Sequence, residues 1–169
     1  MRELKTLFIA ALIMLMTACQ PSTTADKIAK LEKELQKNEG VMTPELGEDL
    51  VNYYCSYATS NPSDSLSPEY LFKALDVSLN LNNPQRTIGI ADRLCKEYPD
   101  YAKTPVAMFV KGFVYETQYG NEEAARKAYE EFIKAYPDSE LVNDAKASIE
   151  NLGLTPEELI RKFEQQNAE

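Results

Sequence analysis

Chemistry in this chain would have to come from carboxylates, hydroxyls or thiols. It has no histidine, and so lacks the commonest general base and the commonest metal ligand. The carboxylate pairs that invite comparison with a glycan-cleaving acid and base are Glu122-Glu123, Glu130-Glu131 and Glu157-Glu158. Adjacent residues on a helix diverge by about 100° and do not face one site. The doublets therefore read as solvated faces or helix-start charges. Thiols are offered by Cys19, Cys55 and Cys95, but without a histidine to act as base a cysteine nucleophile is unsupported. The sequence assigns no catalytic residue, no metal site and no cofactor, and an envelope enzyme working through carboxylates is the weakest reading.

Cys19 belongs to a different chemistry. Arg2 and Lys5 precede an unbroken apolar run over residues 7–16 (LFIAALIMLM), followed by the small residues Thr17 and Ala18. This is the layout of a secretory signal. Ten residues rise only about 15 Å as a helix, about half of a bilayer core, which argues against a permanent span. Met16-Thr17-Ala18-Cys19 resembles the lipobox of bacterial lipoproteins, in which Leu, Val or Ile is usual where Met16 stands. The resemblance implies cleavage after residue 18, lipid on Cys19, and membrane anchoring by three acyl chains, each buried CH₂ contributing about 0.8 kcal/mol. Gln20 stands where an Asp often signals inner-membrane retention, which implies the outer membrane, facing the periplasm.

Beyond Cys19 the elements can be read from punctuation and period. Residues 19–25 are polar, small and Pro-containing, a flexible spacer. Over 26–39 the apolar Ile28, Leu31 and Leu35 keep a seven-residue spacing among charges. A short coiled coil that makes a homo-oligomer, a solvated tether and a helix packed on the remainder of the chain all fit this segment. Pro62, Pro99 and Pro137 end similar motifs 37 and 38 residues apart. Leu50, Thr87 and Ala125 stand twelve before them, Tyr54, Ala91 and Tyr129 eight before, and Tyr57, Leu94 and Phe132 five before. A second stripe repeats as Leu71, Met108 and Ala145, then Leu75, Gly112 and Ile149, then Ser78, Tyr115 and Leu152. One helix pair per period is the consequence.

Thr43-Pro44, Ser67-Pro68, Thr104-Pro105 and Thr155-Pro156 each set a capping hydroxyl before a proline at the first helical position. Asn82-Asn83-Pro84 and Gly120-Asn121 supply turns between paired helices. No segment alternates with the period of a strand. The expected fold is all-α: a short solenoid of helical hairpins over 43–152, preceded by the signal peptide (1–18) and the charged helix, and closed by a capping helix over 153–169.

The unit at 109–137 resembles a tetratricopeptide repeat (TPR), with Gly112 and Tyr115 at the small and aromatic positions of its first helix. Ala125, Tyr129 and Phe132 match the apolar positions of the second helix, and Pro137 the terminal proline. Its run is similar to repeats of two periplasmic groups, the lipoprotein of the outer-membrane β-barrel insertion machinery and a cell-division coordinator with an N-terminal coiled coil. The unit at 67–99 departs from the pattern, with Leu75 where a small residue is usual and Thr87 in place of Ala. The resemblance implies a protein–protein interaction scaffold whose groove is lined by Phe72, Asp76, Asn80, Phe109, Phe113, Glu116, Lys146 and Glu150. The phenylalanines fit equally as core between repeats. Acidic residues around aromatic anchors suit an envelope protein or peptide segment that is basic and hydrophobic. Nucleic acid is excluded as a partner by the net charge of -9, which repels phosphate. Cys55 and Cys95 stand seven and four residues before their prolines, a register that favours buried free thiols over a disulfide.

Overall fold

The computed structural model describes residues 22–166; the expected signal segment and Cys19 lie outside the described residues. Eight helices follow in order: α1 Thr24–Lys37, α2 Pro44–Ser60, α3 Leu66–Asn80, α4 Pro84–Glu97, α5 Thr104–Thr117, α6 Glu122–Ala135, α7 Val142–Asn151 and α8 Pro156–Gln166. There is no strand among the described residues. Each helix from α1 to α6 packs on the next, so the fold is the all-α solenoid of helical hairpins that the period predicts.

Several boundaries follow from side chains that satisfy the free amides of a first turn. Thr43 accepts from the Leu46 amide, Asn83 from Arg86 and Asn121 from Ala124. At α8 the capping box is complete: the Thr155 amide donates to Glu158 at 2.8 Å and the Glu158 amide to Thr155 Oγ1 at 3.2 Å. A second capping box, Thr23 with Asp26, starts α1 at Thr24, inside the stretch read as spacer. The apolar stripe of α1 is used within the chain. Ile28 is buried at 1% exposure, and Leu31 and Leu35 pack on the same core, which is the third of the three arrangements open to this segment. The Tyr54 hydroxyl of α2 and Lys73 Nζ of α3 both donate to Glu32 at 2.8 Å, tying α1 to the first two repeat helices.

The expectation for Ser67 and Thr104 needs correction. Neither caps a helix: α3 begins at Leu66, whose amide donates to Asp64 Oδ1 at 2.9 Å, and α5 begins at Thr104 without a side-chain cap. Both residues are fully buried. Ser67 Oγ donates to the Asn61 carbonyl at 2.6 Å and Thr104 Oγ1 to the Tyr98 carbonyl at 2.7 Å. Asn61 and Tyr98 are the C-caps of α2 and α4, so each hydroxyl latches the end of one repeat to the start of the next. At the third such junction the residue is Leu141, which has no hydroxyl to donate.

Two cores share α5. The larger runs from Ile28 through Leu50, Leu71 and Leu94 to Ala107. The smaller is built on Ala125, Tyr129, Phe132 and Ala145, with Met108, Phe109 and Tyr115 packed against it. Pairing of α5 with α6 depends on the absence of a side chain at Gly112, where a Cβ would lie 2.5 Å from the Tyr129 ring. At the corresponding positions of α3 and α4 the sizes are exchanged, Leu75 with Ala91, both buried in the larger core. Thr87 is accommodated by polarity, since its hydroxyl lies 2.8 Å from that of Ser78 in a buried pair and also donates to the Asn83 carbonyl at 2.9 Å. Both departures of the 67–99 unit thus have compensating partners in the chain.

Candidate interaction surface

The eight residues expected to line a groove sit on the first helices α3, α5 and α7, and they divide by what they touch. Asp76, Asn80, Phe113, Lys146 and Glu150 are exposed. Phe113 stands out as a large apolar side chain at 40% exposure. Asn80 Nδ2 donates to the Asp76 carbonyl at 3.0 Å, and Glu150 pairs with Lys162 of α8 at 3.5 Å. The other three are engaged in packing. Phe109 has its ring centroid 5.3 Å from Tyr129 and 5.7 Å from Phe132, so it belongs to the core between α5 and α6. Phe72 is half-buried against the larger core, with Lys103 Nζ 4.8 Å above its ring. Glu116 accepts from the Tyr129 hydroxyl at 2.7 Å.

What remains open to solvent has a simple order. Asp76, Phe113 and Glu150 are successive 37-residue equivalents, one on each first helix, and all three are exposed. An apolar anchor is therefore set between two carboxylates in one register of the repeat. Beside this row a cleft of about 390 Å³ is lined by Glu116 and Glu122, by Ser148 and Asn151, and by apolar side chains that include Leu154 and Leu159. Sequence reasoning did not find Glu122 as a neighbour of Glu116. The two line one cleft, and the left-handed turn at Gly153 (φ 81°) closes it so tightly that a Cβ there would meet the Glu122 carboxylate at 2.6 Å.

Titration behaviour separates structural from reactive groups. Burial, reinforced by the hydrogen bond to Glu32, raises the Tyr54 phenol well above the ordinary tyrosine range. Burial and the Glu116 hydrogen bond do the same to Tyr129. Cys55 and Cys95 are free thiols, and burial raises both. A thiol shifted in that direction is a poor nucleophile at neutral pH.

Comparison with known proteins bears on one segment of this surface. The tetratricopeptide repeat family matches residues 106–139, which span most of α5, all of α6 and the turn after it. The chain thus contains a repeat of the kind that mediates binding to protein partners, and its Phe113 and Glu116 lie within the match. A search of curated proteins found no match to the chain.

Proposed function

We propose that the protein is a lipid-anchored adaptor of the bacterial cell envelope that holds a partner protein against its first-helix face. The observation that carries the binding role is the exposed row Asp76, Phe113 and Glu150, in a chain that contains a tetratricopeptide repeat. Carboxylates on either side of an aromatic anchor select a segment that is both basic and hydrophobic. The ring supplies most of the affinity and the charges mainly speed association. Attachment through Cys19 and residence at the periplasmic face of the outer membrane rest on the Met16-Thr17-Ala18-Cys19 pattern and on Gln20.

The test of the binding role uses Asp76→Lys with Phe113→Ala. Glu116 is unsuited, since replacing it removes the partner of the buried Tyr129 hydroxyl. Cross-linking capture from intact envelopes should lose its specific partner in the double variant at unchanged helix content by circular dichroism. Retention of that partner at wild-type yield would remove the row as the binding site.

A further inference from the structure

Charge is segregated along this molecule. Helix α1 carries Lys27, Lys30, Lys33 and Lys37 against Asp26, Glu32 and Glu34, whereas residues 38–166 hold 12 basic and 22 acidic side chains. The packing of α1 decides where its lysines point. Ile28, Leu31 and Leu35 face the core and Glu32 is bound by Tyr54 and Lys73. At about 100° per residue Lys30, Lys33 and Lys37 fall on the opposite side, within about a sixth of the helix circumference, and Lys27 lies at the flank. All four are exposed. None has a carboxylate within ion-pair distance among the described residues, and only Lys27 has another partner, the Tyr53 ring at 5.1 Å. The two acidic residues that share this side are Asp26, whose carboxylate is held by the Thr23 cap, and Glu34.

We infer that the outer face of α1 docks on the anionic phospholipid headgroups of the membrane that carries the anchor. Helix α1 begins five residues after Cys19, a reach of at most about 18 Å. A lipid on Cys19 would therefore hold the stripe close to the headgroups. Asp49 of α2 shares a cleft with Lys27 and Lys30 and offsets part of the attraction there, whereas Lys33 and Lys37 share theirs only with Lys30 and Glu34. Exposed charges more than about 10 Å away are largely screened at ordinary ionic strength. Each lysine near an anionic surface adds to binding, so a stripe of this size acts as a second membrane signal beside an acyl chain. It fixes how the repeats stand on the bilayer: α1 lies against the lipid, and α5 to α7 are left free for a partner.

This inference rests on the lipid-anchored reading of the proposed function, and its test omits the anchor so that the two can fail separately. Residues 22–166 contain both cores entire, and this unit would be sedimented with vesicles of phosphatidylglycerol and phosphatidylcholine in equal parts, or of phosphatidylcholine alone, at about 0.1 M ionic strength, where the acidic repeats are screened. Binding is expected to the anionic vesicles only, to weaken with salt, and to fall by about tenfold or more in Lys30→Gln/Lys33→Gln/Lys37→Gln. Those three side chains leave the α1 core contacts in place, which circular dichroism would verify. Absence of binding to the anionic vesicles, or equal binding by the triple variant, overturns the inference. Sedimentation velocity supplies a further outcome: a dimer that dissociates in the triple variant would assign the stripe to the acidic surface of a second copy and overturn docking on lipid.

Discussion

Gly112 and Tyr129 form a reciprocal pair: the glycine of α5 leaves the space that the tyrosine ring of α6 fills, and a single added carbon would stand 2.5 Å from that ring. Tyr129 is wholly buried and its hydroxyl is held by Glu116, so it cannot swing aside. Gly112→Leu should lower stability by about 1–3 kcal/mol through overpacking, read as a lower urea midpoint. The Leu75 and Ala91 arrangement one repeat earlier predicts more. Adding Tyr129→Ala to Gly112→Leu should recover part of the loss, so that the two changes are non-additive with a favourable interaction energy of about 0.5–3 kcal/mol. Strict additivity would show that the two positions do not share one space.

Alkaline pH should unfold the protein through Tyr54 and Tyr129. Both phenols are raised in the folded chain, by burial first and then by Glu32 and Glu116. The unfolded chain gives up these protons near about pH 10, where the folded chain still holds them. Their stabilisation is thus complete below that pH and declines as pH rises above it, toward the raised folded values. Urea midpoints should fall steeply as pH rises from about 10 to about 11.5, and less steeply in Tyr54→Phe and Tyr129→Phe. A wild-type midpoint flat across that interval would contradict the assignment.

Removal of a latch hydroxyl takes one of two donors from the Asn61 or Tyr98 carbonyl, which keep the Asp64 and Tyr101 amides. Ser67→Ala and Thr104→Val should each cost about 0.5–1.5 kcal/mol, the net value of one hydrogen bond, measured by chemical denaturation. The junction at Leu141, which has no such hydroxyl, should show the fastest amide exchange of the three. Equal protection at all three junctions would mean that the latches add nothing to local stability.

Fatty-acid labelling tests the anchor. Cys19→Ala should abolish incorporation of a fatty-acid analogue and release the protein from the membrane fraction. Undiminished label on the variant would place the lipid elsewhere or remove it from the account.

Punctuation and period were enough to read the helical hairpins. Pro62, Pro99 and Pro137 mark repeat ends, and Thr43 and Thr155 cap as expected, because both signals act within a few residues of themselves. The roles of Ser67 and Thr104 were hidden, since a hydroxyl before a proline looks the same whether it caps its own helix or donates six residues back. Phe109 and Phe113 share a helix face by spacing, yet one packs on Tyr129 and the other is open to solvent. Helical period gives direction on one helix but not the neighbour it meets there. Glu116 was indistinguishable from a solvent carboxylate for the same reason, as its partner lies thirteen residues on, in another helix.

The unequal size of the two cores has a mechanical consequence. Helices that touch mainly their neighbours transmit tension in series, so a pull between the N-terminus and anything held on α7 is felt equally along the stack. Only Ala145 of α7 is buried, while the core beside the N-terminus is broad and is clasped further by Glu32 and Lys73. Under such a pull α7 should peel away first and leave the hairpins next to α1 folded. The chain would then behave as a strap with a sacrificial end, able to let go of a straining partner and close again without losing its hold.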